Sequence, residues 1–190
     1  MNKPIPHRKW VVIGTTSSGK STLAARLAER LGLEFIELDA LHWQANWRPA
    51  EPEEFRSGVE QAIRCGGWVS AGNYSRVRDL LWQNAEAIVW LDYPFPVVLW
   101  RLLSRTVRRA WTQEELWNGN REKLWWHFKL WSDESLIHWL FKTYWRRKRE
   151  FPELLARPEH VHLHLIHLKT PRQAEEWLGG LPEAPRETQS

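Results

Sequence analysis

Short apolar runs alternate with amphipathic stretches along this chain of 190 residues. The apolar runs are rich in β-branched and aromatic residues and predict buried strands at residues 10–13, 33–38, 68–71, 87–92 and 161–168. Leu23, Leu27 and Leu31 recur every four residues, as on one face of a helix, and Gly32 follows as a stop signal. Helices are predicted at residues 21–31, 53–64, 76–83, 97–110, 122–150 and 171–178. This alternation predicts an α/β fold with a mainly parallel five-stranded sheet and helices on both faces.

Four of these strands end at residues suited to a ligand site, namely Gly14, Asp39, Gly72 and Asp92. The carboxyl ends of parallel strands meet at one edge of a sheet, where such folds bind their ligands. The sequence therefore predicts one site built from these four strand ends.

Composition narrows the class of protein. Hydrophobic residues make up 43% of the chain and charged residues 26%, which excludes a wholly disordered or collagen-like chain. No apolar run is long enough to span a bilayer, and the first residues lack the pattern of a cleaved leader. The single cysteine, Cys65, excludes an internal disulfide and a cysteine-pair metal site. We therefore expect a cytoplasmic protein with no membrane partner.

Charge and tryptophan content leave the partner open. The net charge of +4 indicates anionic partners without deciding between nucleotide, nucleic acid and phospholipid. Ten of the fifteen tryptophans lie between Trp82 and Trp145. We favour packing of these rings in the core or against a partner, which leaves a dimer open, and stacking on single-stranded nucleic acid is the alternative.

One motif indicates phosphate chemistry. The segment from Gly14 to Ser21 matches G-x-x-x-x-G-K-[ST], with a predicted strand before it and a predicted helix after it. Such a loop surrounds phosphates with backbone N–H groups at the positive end of a helix dipole. Lys20 would reach the β- and γ-phosphates of ATP, and the Ser21 hydroxyl would bind Mg²⁺. The predicted nucleotide-binding residues are Gly14, Thr15, Thr16, Ser17, Ser18, Gly19, Lys20, Ser21 and Thr22.

Beyond this loop, several segments resemble small nucleotide kinases. They are residues 38–43, 68–74, 90–94, 105–109 and 116–122. The layout is similar to adenylate kinase and shikimate kinase, and more closely resembles the adenylate-kinase-like DNA topology modulation proteins. The resemblance implies a three-layer P-loop NTPase fold with strand order 2-3-1-4-5. It also implies one domain over residues 1–180, with a helical lid near 110–121, a tryptophan-rich helical segment at 122–150 and a flexible tail at 181–190.

The helix after the fourth strand carries Arg101, Arg105, Arg108 and Arg109 on one face. A solvated basic face is one explanation, since charge runs are often exposed. In the kinases that the chain resembles, arginines of this helix stack on adenine and contact the transferring phosphate. The resemblance implies that Arg101 and Arg105 bind ATP, that Arg109 acts from the lid, and that Lys169, after the last strand, borders the base.

The acceptor side is predicted at the second and third strand ends. The resemblance implies that Asp39 orients an acceptor hydroxyl or binds Mg²⁺ through water, although a helix or turn cap is an alternative role. It assigns the acceptor loop to Gly72, Asn73, Tyr74 and Arg76. Adenylate kinases carry an aspartate where this chain has Ala71, so an outer ligand of the metal is missing, and Asp39 or Asp92 is expected to replace it or turnover to be slow.

Two clusters receive simpler explanations. Of the histidines at 160, 162, 164 and 167, alternation places the first three on one strand face. A polar strand face is favoured over a zinc site because no carboxylate or cysteine stands at ligand spacing. The basic run 146–149 is predicted to be a solvated helix end.

These observations favour an ATP- and Mg²⁺-dependent small-molecule kinase in which Lys20, Arg105, Arg109 and Asp39 act on the transferring phosphate. A nucleoside monophosphate is the first choice of acceptor, and another small hydroxyl or phosphate compound is the second. The alternative, which is not favoured, is a nucleic-acid-associated protein that uses nucleotide as a switch.

Overall fold

The strands and helices below come from a computed structural model that describes residues 7–112, 117–120 and 136–184. Seven strands are described. In chain order they are β1 (Lys9–Gly14), β2 (Glu34–Glu37), β3 (Trp43–Gln44), β4 (Arg48–Pro49), β5 (Trp68–Ala71), β6 (Ala87–Leu91) and β7 (His164–Leu168). The α-helices are α1 (Lys20–Leu31), α2 (Leu38–His42), α3 (Pro52–Ala62), α4 (Arg78–Asn84), α5 (Phe95–Thr112), α6 (Leu136–Leu155) and α7 (Pro171–Gly179).

Five strands form one parallel sheet in the order β2-β5-β1-β6-β7. Counted along the five strands of this sheet alone, the order is 2-3-1-4-5, and the predicted fold class is confirmed. The central strand β1 is flanked by β5 and β6, so Gly14 at its end lies opposite Leu91 of β6. The loop after β1 therefore lies at the middle of the carboxyl edge of the sheet.

The sheet separates two apolar layers because successive strand residues face opposite sides. On β1, Trp10 and Val12 belong to one buried cluster, with α1 and α7, whereas Val11 and Ile13 belong to the other, with α3 and α4. This burial on both faces fixes the register of β1, since a slip by one residue would exchange the two faces.

Packing overrides local signals at two places. The long helix was expected to end at Pro152, but α6 continues to Leu155 because Phe151 and Leu154 are buried in the second cluster. The last strand begins at His164 rather than at Val161, because the preceding residues turn after His160.

The segment between β2 and α3 was not predicted as regular structure. Short helix α2 is followed there by the antiparallel pair β3 and β4, with Trp43 opposite Pro49. Two residues between these strands, Asn46 and Trp47, have left-handed backbone angles, with φ of 60° and 55°. The hairpin brings residues 43–49 beside the carboxyl edge of the sheet.

Parts of three predicted segments lie outside the described residues: 113–116 and 121 of the lid, 122–135 of the tryptophan-rich segment, and 185–190 of the tail. The start of the predicted tail differs from expectation, since the Ala184 amide donates to the Arg30 carbonyl at 2.8 Å. None of the helices in the described part of the chain is long and apolar enough to cross a membrane.

Candidate active site

The loop between β1 and α1 is held in a shape that only glycine accommodates at its first position. Gly14 has φ of 156°, and a Cβ there would lie 2.7 Å from both the Leu91 carbonyl oxygen and the Ser18 hydroxyl. Asn73, which lies two residues after β5, fixes the position of Gly14. Its Oδ1 accepts a hydrogen bond from the Gly14 amide at 3.3 Å, and its Nδ2 donates to the Gly14 carbonyl. The loop is thus anchored to both neighbours of β1.

The polar groups of the loop fit a phosphate ligand. Within residues 7–112, the hydroxyls of Thr15, Ser17 and Ser18 are buried and have no hydrogen-bond partner. Buried hydroxyls normally have partners, so this group is suited to oxygen atoms of a bound anion. Lys20 at the start of α1 folds back over the loop, and its Nζ donates to the Thr15 carbonyl at 2.8 Å.

Lys20 has an unusual charge balance. Burial lowers its pKa to about 7, and the nearby guanidinium groups of Arg147 and Arg105 add to this effect, while Asp39 opposes it. Near neutral pH the Lys20 amine is therefore only partly protonated, and a bound polyphosphate would favour its protonated, charged form.

This balance predicts proton uptake on nucleotide binding. At pH 8 a lysine with a pKa of about 7 is mostly neutral, so ATP that holds the ammonium form should draw in about one proton per site. Titration calorimetry in two buffers of different ionisation enthalpy measures this uptake. The Lys20→Ala variant serves as the control and should show none, and a wild-type heat that does not depend on the buffer would contradict the prediction.

The arginines of α5 turn toward the loop. Arg101 donates from Nη1 to the Ser18 carbonyl at 2.8 Å and lies over the Tyr93 ring, 5.2 Å from its centroid. Arg105 is close enough to lower the pKa of Lys20. Arg109 is half-buried and Arg108 is exposed. The first two therefore face the phosphate loop, and their contacts with ATP stay predictions, as does the role of Arg109.

An acidic residue that the sequence analysis missed lies beside Ser21, the predicted Mg²⁺ ligand. Glu37, the last residue of β2, accepts a hydrogen bond from the Ser21 hydroxyl, and burial raises its pKa. It pairs in register with Ala71 of β5, the position at which the sequence analysis noted the missing aspartate of adenylate kinases. Ala71 itself is fully buried in the first apolar cluster. Glu37 thus supplies the carboxylate at this strand end, and its position two residues before Asp39 was the available signal.

Asp39 and the third strand end are brought together as predicted. The Tyr74 hydroxyl donates to Asp39 Oδ1 at 2.5 Å, and Asp39 lies in the first turn of α2. Gly72 has φ of 148°, and a Cβ there would come within 2.8 Å of Leu38. Arg76 is exposed, but its charge still contributes to the lowered pKa of His42.

A second functional candidate was missed on α6. Burial, followed by the charge of Arg146, lowers the pKa of Arg147 to about 10, and Asp39 and Arg78 are among its electrostatic neighbours. The expected solvated helix end is therefore wrong for Arg147, whereas Arg146 is exposed. The sequence signal was only helical spacing, which does not reveal which face meets the sheet.

The same helix is anchored to the strand that precedes α5. Lys148 Nζ lies 3.1 Å from Asp92 Oδ1, and the Tyr144 hydroxyl donates to the Tyr93 carbonyl at 3.0 Å. His167 lies 3.0 Å from Asp92 Oδ2 and stacks on Trp90. Asp92 is thus engaged by Lys148 and His167, not by the phosphate loop.

The remaining sequence candidates lie apart from this centre. Lys169 is exposed at the end of β7, where its amide donates to the Gln173 side chain at 2.8 Å. His160 bonds the Leu154 carbonyl, His162 the Trp82 carbonyl, and His164 the His7 ring. No group of three metal-ligating side chains occurs among the described residues.

Comparisons with known proteins agree with this arrangement. No family model matches the chain. It is 29% identical over 117 residues to a shikimate kinase of Xanthomonas campestris, and this match covers 51% of the chain and 62% of the relative. The chain thus spans less than two thirds of that relative's length. A probable gluconokinase of Schizosaccharomyces pombe is 54% identical over 37 residues, covering 20% of the chain and 19% of the relative.

Among solved structures, shikimate kinase from Acinetobacter baumannii in complex with shikimate matches with a TM-score of 0.50 and 17% identity, over 92% of this chain and 90% of that one. This likeness concerns the fold. The matches support a likeness to the P-loop kinases in general and not to the DNA topology modulation group in particular. The chain has the P-loop kinase fold, and the relatives it matches are small-molecule kinases.

Proposed function

We propose that this protein is an ATP-dependent kinase that transfers the γ-phosphate of ATP to a hydroxyl group of a small acceptor that also carries an anionic group. The carrying observation is the convergence of Lys20, Asp39 and Arg147, which come from three separate elements and are electrostatic neighbours. A phosphate-binding lysine beside a carboxylate and a half-buried guanidinium is a charge set suited to phosphoryl transfer to an anionic alcohol.

The donor side consists of the loop and the arginines of α5. The backbone of residues 14–21 and Lys20 would hold the ATP phosphates, with Arg105 neutralising charge on the transferring group. Mg²⁺ would be held by the Ser21 hydroxyl, with Glu37 fixing water around it, and would supply charge neutralisation between the β- and γ-phosphates.

On the acceptor side, Asp39 is held by Tyr74 and faces the charge of Lys20. Asp39 would accept the hydroxyl proton while the acceptor oxygen bonds to the γ-phosphorus and the bond to the bridging oxygen breaks, which releases ADP. Arg147 would bind the anionic group of the acceptor, since a half-buried guanidinium pairs well with carboxylate or phosphate.

The acceptor class that we propose is a hydroxylated carboxylic acid rather than the nucleoside monophosphate expected first from the sequence. The relatives that the chain matches are kinases of shikimate and, in one case, probably of gluconate. A small cavity beside the acceptor loop has Gly72, Tyr74, Arg78 and Phe151 in its lining. The cytoplasmic location remains a prediction.

The test is ADP release measured over a panel of acceptors that includes shikimate, gluconate and the nucleoside monophosphates. We expect turnover with a hydroxy acid. Arg147→Ala should then raise the KM for that acid by about 10- to 100-fold, because one charge-assisted contact is lost, and should leave the KM for ATP nearly unchanged. The matched control is Arg146→Ala, which removes the exposed neighbour.

Turnover with nucleoside monophosphates alone would contradict the proposed acceptor class. Equal effects of the Arg146 and Arg147 variants would contradict the role of Arg147.

A second candidate function is nucleotide-switched binding of nucleic acid, as in the alternative from the sequence. It is favoured by the exposed rings of Trp100 and Trp111, which are 72% and 90% accessible on the outer face of α5. Binding of a single-stranded oligonucleotide that weakens steeply with salt, together with no transfer to any acceptor of the panel, would favour this function.

A further inference from the structure

A four-residue segment beyond α5 is clasped to the hairpin that follows Asp39. Residues 117–120, called here the clasp, form a short turn against residues 40–47. Asn118 Nδ2 donates to the Trp43 carbonyl at 2.6 Å, and Asn120 Nδ2 donates to the Gln44 carbonyl at 2.9 Å. The Trp117 ring also meets the Trp47 ring edge-on, with 6.4 Å between the centroids. These contacts do not follow from closeness in the sequence, since more than seventy positions separate the bonded residues.

Asn120 is the centre of this contact. Asn120 is only 3% exposed, and both the oxygen and the nitrogen of its side-chain amide form hydrogen bonds. Oδ1 accepts from the Trp47 amide at 2.8 Å, while Nδ2 donates to the carbonyls of Gln44 and Trp117. A buried amide that is satisfied by two separate segments joins them specifically, because replacing it leaves donors and acceptors without partners.

The backbone conformation of the segment that Asn120 holds is itself unfavourable. Trp47 has φ of 55°, a left-handed conformation that bulky residues rarely adopt, and Asn118 has the same φ. Such backbone angles persist only where the surrounding contacts over-determine them. The bond from the Trp47 amide to Asn120 is one of those contacts.

The hairpin transmits this hold to the acceptor side. The Ala50 amide donates to the His42 carbonyl at 2.7 Å, which closes the hairpin onto the end of α2. The His42 ring lies 4.6 Å from the Tyr74 ring, and Tyr74 in turn donates to Asp39. The last three residues of α2, 40–42, therefore connect Asp39 to β3, the strand that the clasp holds.

We infer that Asn120 is a positioning residue that fixes the acceptor side, residues 39–50, against the segment that follows the arginine helix. The inference rests on the proposed function for its kinetic consequence, because the hairpin that Asn120 holds follows directly on the helix that carries Asp39. Asn120 acts through the hairpin and does not itself touch the phosphate loop in the contacts described.

The experiment compares Asn120→Ala with Asn84→Ala, a control that removes an exposed asparagine bonded only to Leu80 of its own helix. Hydrogen exchange is followed at the amides of Trp47 and Ala50, with the amides of α1 as the reference for a folded protein. Steady-state transfer is measured with shikimate and with gluconate as acceptors.

We expect exchange at both Trp47 and Ala50 to rise by about tenfold or more in Asn120→Ala, with α1 unchanged and the control like wild type. The KM for the acceptor should rise by about tenfold while the KM for ATP stays within about twofold.

Faster exchange at Trp47 alone, or faster exchange with an unchanged acceptor KM, would overturn the inference. If wild type phosphorylates neither acid, the proposed acceptor class fails, and the exchange of Ala50 alone decides whether the clasp positions this segment. General unfolding of the variant would appear as faster exchange in α1; Asn120→Asp, which keeps the acceptor oxygen but loses the Nδ2 bonds to the carbonyls of Gln44 and Trp117, must then raise exchange at Ala50 without change in α1, and its failure to do so overturns the inference.

Discussion

Replacing Lys20 with alanine is expected to lower the rate of phosphate transfer by about 10²- to 10³-fold or more, the range found when one charged or hydrogen-bonding group is removed from a transition state. Lys20 bonds the Thr15 carbonyl in the loop, and the nearby carboxylates of Asp39 and Glu37 only partly offset the burial of its charge. Its contribution is therefore directed at the phosphates. ATP affinity should fall as well, because the same charge acts on the bound nucleotide.

The stability of this variant should be unchanged or higher. Burial lowers the pKa of Lys20 from 10.5 to about 7, which means that burying the charged amine makes the free energy of folding less favourable. Alanine removes the amine and with it this cost. Thermal unfolding and a transfer assay check both parts, with Lys142→Ala, which removes an exposed lysine of α6, as the matched control. Wild-type transfer in Lys20→Ala would show that the loop is not catalytic.

Asp39→Asn should lower kcat by about 10²- to 10⁴-fold, the range for loss of a general base, while the KM for ATP changes little. The amide oxygen can still accept from the Tyr74 hydroxyl, so the local structure is preserved and the lost property is the charge. Because Asp39 raises the pKa of Lys20, its neutralisation also shifts Lys20 further toward the uncharged form.

Two comparisons sharpen this result. Asp79→Asn removes a carboxylate of similar size that pairs with Arg56 on the surface, and it should leave transfer unchanged. Tyr74→Phe retains the carboxylate but removes its donor, so its loss should be smaller, about tenfold. If Asp39→Asn retains more than a third of the wild-type kcat, a role as general base is excluded.

The sequence was sufficient for the sheet and the phosphate loop, because both depend on local signals. The central strands β1, β5 and β6 are short, mainly apolar runs, and the loop has fixed glycines, a lysine and a serine between a strand and a helix. The placement of Asp39 beside Tyr74 also followed, since both stand at the carboxyl ends of strands that belong to one sheet.

Other parts of the site depend on packing that no local pattern encodes. Glu37 ends a strand that reads as partly polar, and only its register beside Ala71 gives it a function. Arg147 is one of four consecutive basic residues, and the rotation of α6 leaves Arg147 half-buried while Arg146 and Arg149 are exposed. Asn120 resembles any turn residue until the hairpin from residues 43–49 is placed against it.

The anchoring of α6 also restricts where insertions and deletions can be accepted in the chain. Tyr144 and Lys148 attach the helix to the strand end at residues 92–93 on either side of Arg147. One residue inserted or deleted between these two anchors would rotate the following residues by about 100° and turn the guanidinium away from Asp39. Insertions before Tyr144 leave that rotation unchanged. Length variation among descendants of this gene should therefore accumulate ahead of Tyr144, and the interval from Tyr144 to Glu150 should keep its length.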